Sequence, residues 1–141
     1  MKKTVFFSFV IFSFLSCKND QGYKKNNPFL HGVFEIPAGE NYSKTIVTRK
    51  DSIQIEEYTK FMTITTDSTL VKKTVKRIDT LYITWKNNFS YTLKMKSPKT
   101  ALDKDPIYVR ITKVTDSSYH FSAKIGFSKF KQEGIVYKVK Q

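Results

Sequence analysis

The sequence is poor in the residues on which most active sites depend. It has one cysteine, which excludes a disulfide within the chain, and two histidines, His31 and His120, which lie far apart. No cluster of His, Cys or carboxylate ligands is visible, so we expect no metal and no cofactor. Five scattered glycines form no phosphate-binding loop, and no serine lies in a Gly-x-Ser-x-Gly turn.

Paired carboxylates offer weak candidates for acid and base catalysis. Glu56 and Glu57 are neighbours in a predicted strand, where adjacent side chains point to opposite faces and cannot act together. Asp103 and Asp105 flank a lysine in a predicted turn, and a structural role accounts for both. The sequence therefore predicts a protein that is not an enzyme.

The long uncharged segment of the chain lies at the N-terminus. Residues 4–15, TVFFSFVIFSFL, follow the cationic start Met1-Lys2-Lys3, and this layout is typical of a secretory signal peptide. As a helix the segment would span about 18 Å, less than the hydrocarbon core of about 30 Å, which argues against a permanent transmembrane helix. We predict a signal peptide over residues 1–16.

The single cysteine, Cys17, comes directly after this segment. The run Phe14-Leu15-Ser16-Cys17 resembles a bacterial lipobox, in which the cysteine is lipidated and becomes the new N-terminus. Ser16 fits that pattern, whereas Phe14 and Leu15 are bulkier than the usual residues. A free thiol would leave the position and the flanking residues unexplained. We therefore predict that Cys17 carries a lipid anchor.

The residues after Cys17 are typical of a flexible tether. Residues 18–29, KNDQGYKKNNPF, have few apolar side chains, and a coil of that length spans about 20 Å. The predicted organisation is thus a lipidated cysteine and tether over residues 17–29 and a β domain over residues 30–141. Lys18, where a retention signal would have aspartate, favours the outer membrane. In lipoproteins of the Bacteroidetes an acidic cluster just after the cysteine marks export to the cell surface. Only one acidic residue, Asp20, is present here, which slightly favours the periplasmic face.

Acidic residues are scarce relative to basic ones, 12 against 25, and the formal net charge is +13. Such a charge can indicate nucleic-acid binding. Export and the spread of charge along predicted strands, without an arginine-rich helix, nevertheless predict no nucleic-acid partner. Two interpretations remain. The charge holds the domain near an anionic lipid or polysaccharide surface, where each Lys or Arg contributes about 1 kcal/mol, or it only solubilises the domain.

From His31 onward, apolar and polar residues alternate with the period of half-buried strands. The predicted inward sets are Leu81, Ile83 and Trp85; Phe89, Tyr91, Leu93 and Met95; Ile107, Val109 and Ile111; Tyr119, Phe121, Ala123 and Ile125; and Ile135, Tyr137 and Val139. Turns rich in Asp, Asn and Ser separate the strands at residues 50–52, 66–68, 86–88 and 115–117. The sequence predicts an all-β fold, a single antiparallel meander of about eight or nine strands closed as a small, lipocalin-like barrel or as a sandwich.

One predicted strand is unusually basic. Residues 69–79, TLVKKTVKRID, carry Lys72, Lys73, Lys76 and Arg77. This pattern indicates either an edge strand that its charge protects from pairing or an exposed basic ribbon that binds a partner. The protected edge is the simpler interpretation.

Trp85 is the one tryptophan of the chain and ends a predicted strand. Together with Tyr91 and Phe121 it either packs in the core or lines a ligand cavity. An eight-stranded barrel is at the size where side chains fill the interior or leave room for one small ligand. The bulky inward set favours a filled interior.

Five segments carry a resemblance to short flavobacterial lipoproteins of the Bacteroidetes, whose function is unknown: GVFEI, DSIQIEEY, TWKNNFSYTLKM, PIYVRITKV and SSYHFSAKI. The shared layout is a lipobox, a Gly-x-Phe opening strand, a hairpin with Trp85, Tyr91 and Leu93, and a late strand with Tyr119 and Phe121. The resemblance implies a lipid-anchored β domain and supplies no catalytic residue. Some of these proteins carry the name DNA topoisomerase IV, but this chain lacks the ATP site and the length for that activity.

The sequence therefore predicts an outer-membrane lipoprotein of the cell envelope. Its β domain is expected to be a non-catalytic binding or interaction module with an unassigned partner. A small barrel that carries an apolar ligand is the second interpretation, and an envelope hydrolase is the third.

Overall fold

Eight β-strands follow one another along the chain and close into a barrel in the computed structural model, which describes residues 26–139. The strands are β1 (Gly32–Ile36), β2 (Thr45–Lys50), β3 (Ile53–Thr66), β4 (Thr69–Asn87), β5 (Ser90–Met95), β6 (Ile107–Val114), β7 (Ser118–Ile125) and β8 (Gln132–Lys138). Each strand pairs antiparallel with its neighbours in the sequence, and β1 also pairs with β8. The predicted all-β meander is confirmed, in the form of a barrel. The predicted signal peptide and Cys17 lie outside the described residues.

The short connections have the backbone that their sequences favour. Asp67 and Ser68 join β3 to β4 with φ of 45° and 65°, so both adopt the left-handed conformation of a tight two-residue hairpin turn. Asp51, between β2 and β3, has φ of 55°. Asp tolerates this conformation because its short polar side chain can bond nearby backbone groups.

The antiparallel order gives the barrel two distinct ends. One end, called the base here, carries the chain entry before β1 and the connections at residues 51–52, 88–89 and 115–117. The opposite end, called the top, carries the longer loops at residues 96–106 and 126–131 and the turn between β3 and β4.

The buried core lies inside the barrel and continues into the base. Its buried residues are Phe29, Phe34, Val47, Leu81, Ile83, Tyr91, Leu93, Val109, Ile111, Tyr119 and Val136. The predicted inward faces of β4, β5, β6 and β7 supply most of this set. Phe29, which the sequence placed at the end of the tether, packs its ring edge-on against Tyr119 at 4.9 Å.

Two residues predicted to point inward are instead exposed. Phe89 is 51 % exposed because it lies in the turn between β4 and β5. In β8 the inward residue is Val136, which is 1 % exposed, whereas Tyr137 is 43 % exposed. The prediction for β8 was therefore wrong by one residue. Its phase is set by Gly134, over which the Phe121 ring lies so closely that a Cβ atom would be 2.7 Å away.

Strands β3 and β4 are longer than the barrel requires. Strand β2 pairs with β3 only as far as Glu57, and β5 pairs with β4 only from Leu81 onward. The β3–β4 ladder continues past the top of the barrel to the pair Thr66 and Thr69. We call residues 61–74 the arm. Its two strands, six residues each by the register, extend for about 20 Å.

Candidate functional site

The arm exposes apolar side chains on a ribbon only two strands wide. Leu70 is 72 % exposed, and Phe61, Ile64 and Val71 are also exposed. Each lies opposite a partner in the register, for example Ile64 opposite Val71 and Leu70 opposite Thr65. Because no third layer covers either face of the arm within residues 26–139, these side chains are accessible to a partner.

The predicted basic residues lie in the arm or directly below it. Lys72, Lys73 and Lys76 are exposed, and Arg77 is half-buried. Since side chains alternate along a strand, Lys72 and Lys76 share one face of β4, and Lys73 and Arg77 share the other. None of the three lysines forms an ion pair with another described residue.

One edge of β4 is open. From Thr69 to Asp79 it has β3 on one side and no strand on the other within the described part of the chain. The Lys96 N–H donates to the Thr80 carbonyl at 2.9 Å, so Thr80 points its backbone groups toward the β5 side. Antiparallel alternation then gives the same direction to every second residue. The residues whose backbone N–H and C=O face the open edge are Leu70, Lys72, Thr74, Lys76 and Ile78.

A polar cluster fixes the root of the arm. The Arg77 guanidinium donates to Asp79 Oδ1 at 3.1 Å, and the Tyr58 hydroxyl donates to Asp79 Oδ2 at 2.8 Å. The hydrogen bond to buried Asp79 raises the pKa of Arg77. Burial of the hydroxyl is the main cause that raises the pKa of Tyr58, and its hydrogen bond to Asp79 is the second. The Tyr42 ring packs edge-on against Tyr58 at 5.6 Å. Asp79 thus holds the Arg77 guanidinium in place at the root of the arm, whereas the three lysines have no ion-pair partner among the described residues.

A buried arginine that the sequence did not single out organises the base. Arg49 is 3 % exposed, and its guanidinium makes four hydrogen bonds to protein. Its Nε donates to Gln54 Oε1 at 2.7 Å, and its Nη1 donates to the Phe29 carbonyl at 3.0 Å. Its Nη2 donates to the hydroxyls of Tyr91 at 3.1 Å and Tyr119 at 2.7 Å. Arg49 therefore links its own strand β2 to β3, β5, β7 and the chain entry.

Aromatic rings surround the same guanidinium. The guanidinium carbon of Arg49, Cζ, lies 5.0 Å from the ring centres of Phe34 and Tyr91 and 5.7 Å from those of Trp85 and Tyr119. Such contacts favour a cation. Burial acts to lower the pKa of Arg49, but the interactions with Tyr91 and Tyr119 keep it above its ordinary value. Burial also raises the pKa of Tyr91, which stays a neutral phenol.

The Glu56 carboxylate is linked to Arg49 through the side chain of Gln54. Gln54 Nε2 donates to Glu56 Oε1 at 2.6 Å, while the Gln54 oxygen accepts from Arg49. Loss of water around the carboxyl raises the pKa of Glu56. The sequence held one signal for this network. Arg49 follows Val47 by two residues in the same strand, so the two side chains must share the inward face.

The predicted core or cavity residues come together around this network. Trp85 packs against Tyr91 with a centroid distance of 4.5 Å. Phe121 contacts Tyr119 at 6.5 Å and covers Gly134. Tyr91 thus belongs to the buried core, and Trp85 and Phe121 are partly buried against it.

The residues considered for catalysis are scattered. Glu56 shares the inward face of Gln54 and Glu57 is exposed, so the two carboxylates point to opposite faces, as the sequence predicted. Asp103 accepts the backbone N–H groups of Lys99 and Thr100 at 3.0 Å each, which lowers its pKa and accounts for it structurally. Within residues 26–139 no three His, Cys, Asp or Glu side chains are grouped as a metal site would need.

A second surface feature lies on the outer wall of β5, β6 and β7. It is an open groove of about 690 Å³, and its lining includes Tyr108 and the cations Lys86, Arg110, Lys124 and Lys131. These cations are the part of the wall that would face an anionic lipid or polysaccharide surface, so that prediction stays open.

No helix in residues 26–139 has both the length and the apolar character needed to cross a membrane. Comparison with known proteins adds no assignment to this geometry. No protein-family model, no curated protein and no solved structure matches the chain.

Proposed function

We propose that this protein is a non-catalytic binding module of the cell envelope that engages its partner through the arm. The observation that carries the proposal is the continuation of β3 and β4 beyond the barrel with an open edge on β4. A free two-stranded ribbon is marginally stable in water, and an open edge invites unwanted pairing. A domain that needed only a closed barrel would have no use for such a ribbon.

The arrangement of the two ends supports the same function. The chain enters at the base, where Phe29 packs, and the proposed lipid on Cys17 precedes it by a tether of about 20 Å. The arm leaves from the top. An anchor at Cys17 would therefore hold the base toward the membrane and direct the arm away from it, toward other components of the envelope.

A site-specific photo-crosslinker at position 70 tests the module. Leu70 is the most exposed apolar residue of the arm, so we expect a discrete adduct in intact cells. The matched control is the same crosslinker at Leu102, an exposed leucine of the 3₁₀ helix Leu102–Lys104. The adduct should disappear in the double variant Lys72→Glu/Lys76→Glu. No adduct at position 70, or equal adducts at both positions, would contradict the proposal.

The anchor has an independent test. Two or three acyl chains, at about 0.8 kcal/mol per buried CH₂, give stable anchoring where one does not. We expect mass spectrometry of the native protein to find Cys17 at the N-terminus with its acyl groups, and Cys17→Ala to lack them. An unmodified residue 17 within an intact leader would rule out lipidation.

Transport of an apolar ligand is the second candidate, because a closed eight-stranded barrel can enclose one small ligand. The packing of Trp85 against Tyr91 and the buried core argues against it. In a binding module, Trp85→Ala removes packing against Tyr91 and Arg49 and should destabilise the fold by about 3–5 kcal/mol. In a carrier the same variant would stay folded and alter the uptake of a fluorescent fatty acid, and that result would favour transport.

A further inference from the structure

We infer that the partner presents an extended acidic segment, which pairs antiparallel with the open edge of β4 as an additional strand. The inference rests on the proposed function and specifies what the arm binds. Strand addition takes its affinity from main-chain hydrogen bonds and its specificity from alternate side chains. The open edge of β4 supplies both kinds of contact.

The backbone of the edge is ready to pair. Five residues from Leu70 to Ile78 direct their N–H and C=O groups away from β3, and none of these groups meets a strand in the described part of the chain. Over that length an incoming segment could complete a third strand. The apolar side chains of Leu70 and Ile78, both exposed, lie at the two ends of the pairing stretch.

The spacing of the cations specifies the incoming side chains. Lys72 and Lys76 share one face, Lys73 and Arg77 share the other, and each pair is separated by four residues. An antiparallel strand places consecutive residues opposite positions 77, 76, 75, 74, 73 and 72. Opposite charges are favoured at directly facing positions. The fitting segment therefore has two acidic doublets separated by two uncharged residues, which face Val75 and Thr74.

A second copy of this chain is a poor occupant of the same edge. If two arms paired antiparallel about Thr74, Lys72 of each copy would face Lys76 of the other. Like charges directly opposite destabilise a ladder, and lysines on an edge are a known protection against self-pairing. The same charges that exclude a copy favour an acidic strand.

Synthetic peptides test the spacing against the full-length protein in a non-ionic detergent. The matching peptide contains Glu-Glu-Val-Thr-Glu-Glu, and the control Glu-Val-Glu-Glu-Thr-Glu has the same composition and charge. The control keeps two of the four facing pairs, so we expect its binding to be about 2- to 30-fold weaker by fluorescence anisotropy. Equal affinities would overturn the inference.

Backbone methylation of the matching peptide separates strand addition from simple charge attraction. N-methyl groups on the residues that face Lys76 and Thr74 remove hydrogen bonds to the open edge, so binding should be lost. N-methyl groups on the residues that face Val75 and Lys73 point away from the edge, and binding should persist. If both methylated peptides bind alike, the partner is not an added strand.

Charge exchange tests the residues of the arm. Lys72→Glu/Lys76→Glu should weaken binding of the acidic peptide and gain binding of Glu-Lys-Val-Thr-Glu-Lys, which has lysine opposite the two exchanged positions and keeps glutamate opposite Arg77 and Lys73. The control variant Lys124→Glu/Lys131→Glu changes the same number of charges on the outer wall and should leave peptide binding unaltered. Loss of binding in both variants would show a dependence on net charge alone and would overturn the inference.

The outcomes keep this inference separate from the proposed function. If the crosslinker at position 70 gives its adduct and the matching peptide does not bind, the module stands and strand addition falls. If the matching peptide does not bind, and the arm binds vesicles of anionic lipid in a way that Lys72→Glu/Lys76→Glu abolishes, the partner is a membrane surface and the acidic strand is excluded.

Discussion

The base of the barrel and the arm use the same kinds of residue in opposite ways. At the base a cation, Arg49, is buried, and its guanidinium donates hydrogen bonds to other protein groups. On the arm the cations Lys72 and Lys73 are exposed and form no ion pair with a described residue. Apolar residues follow the same division, since Phe29 is buried at the base and Leu70 is exposed on the arm.

The difference is consistent with a division between a stabilising base and an arm proposed to bind a partner. A buried charge is costly unless hydrogen bonds surround it, so Arg49 commits its neighbours to one arrangement. The exposed charges of the arm fix the position of no neighbouring side chain, so their side chains can adjust to a partner. The buried network therefore contributes to the stability of the barrel, and the proposed recognition lies in the arm.

Removal of the buried guanidinium gives the largest expected effect. Arg49→Ala leaves the Phe29 carbonyl, Gln54 and two tyrosine hydroxyls without their donor, and should cost about 3–5 kcal/mol of unfolding free energy. Urea unfolding measures this. The control is Lys50→Ala at the adjacent exposed position, with an effect within about 0.5 kcal/mol. Similar values for the two variants would mean that Arg49 does not organise the base.

A glycine in the barrel wall gives the next effect. The Cβ atom of Gly134→Ala would lie 2.7 Å from the Phe121 ring, and such overpacking should cost about 1–3 kcal/mol. Gly39→Ala is the matched control, because nothing lies within 4 Å of its added Cβ atom. Phe121→Leu in the Gly134→Ala background should recover part of the loss. Equal thermal stability of the two alanine variants would show that the contact between Phe121 and Gly134 does not decide which residues of β8 point inward.

The carboxyl beside the network should make the base sensitive to pH. The pKa of Glu56 is raised above its ordinary value of 4.5 by loss of water, so the folded state disfavours its ionised form. Its contribution to stability is present below pH 4.5 and is lost as pH rises through the folded-state pKa. Glu56→Gln should therefore be more stable than the native protein at pH 7 and not at pH 4. Exposed Glu57→Gln is the control, and an identical pH profile for both variants would contradict this reasoning.

Excision of the arm should have the smallest effect on stability. Replacement of residues 61–74 by Asn-Gly joins the facing residues Lys60 and Val75 through a two-residue turn. Because a two-stranded ribbon adds little stability of its own, the unfolding free energy should change by less than about 1 kcal/mol. The excised protein should bind no acidic peptide. A loss of several kcal/mol would show that the arm is part of the fold rather than an addition to it.

The alternation of apolar residues was sufficient to predict the barrel wall. Tyr91 and Leu93 in β5 and Val109 and Ile111 in β6 are buried as their parity required. In β8 the parity was ambiguous because Ile135, Val136 and Tyr137 are consecutive and apolar. A contact with another strand, the Phe121 ring over a glycine, decides between the two phases, and a sequence read one strand at a time does not contain it.

The alternation of apolar residues could predict neither the length of the arm nor the burial of Arg49, for two different reasons. Residues 69–79 carried the correct strand prediction, but the length of β4 beyond the barrel depends on where β2 and β5 end. Composition and charge do not distinguish Arg49 from the other cations of the predicted strands. Its two-residue spacing from Val47 indicated an inward position, but the partners that make that position tolerable come from residues 29, 91 and 119.

The hydrogen bond from Arg49 to the Phe29 carbonyl has a mechanical consequence for an anchored molecule. Tension on the tether would enter the domain at Phe29 and run along the axis of β1, loading its hydrogen bonds to β2 and β8 in shear. A partner pulling on the arm would load the β3–β4 ladder in shear at the other end. Bonds loaded in shear share the force rather than break one at a time, so the closed barrel would act as a stiff link between the two attachments.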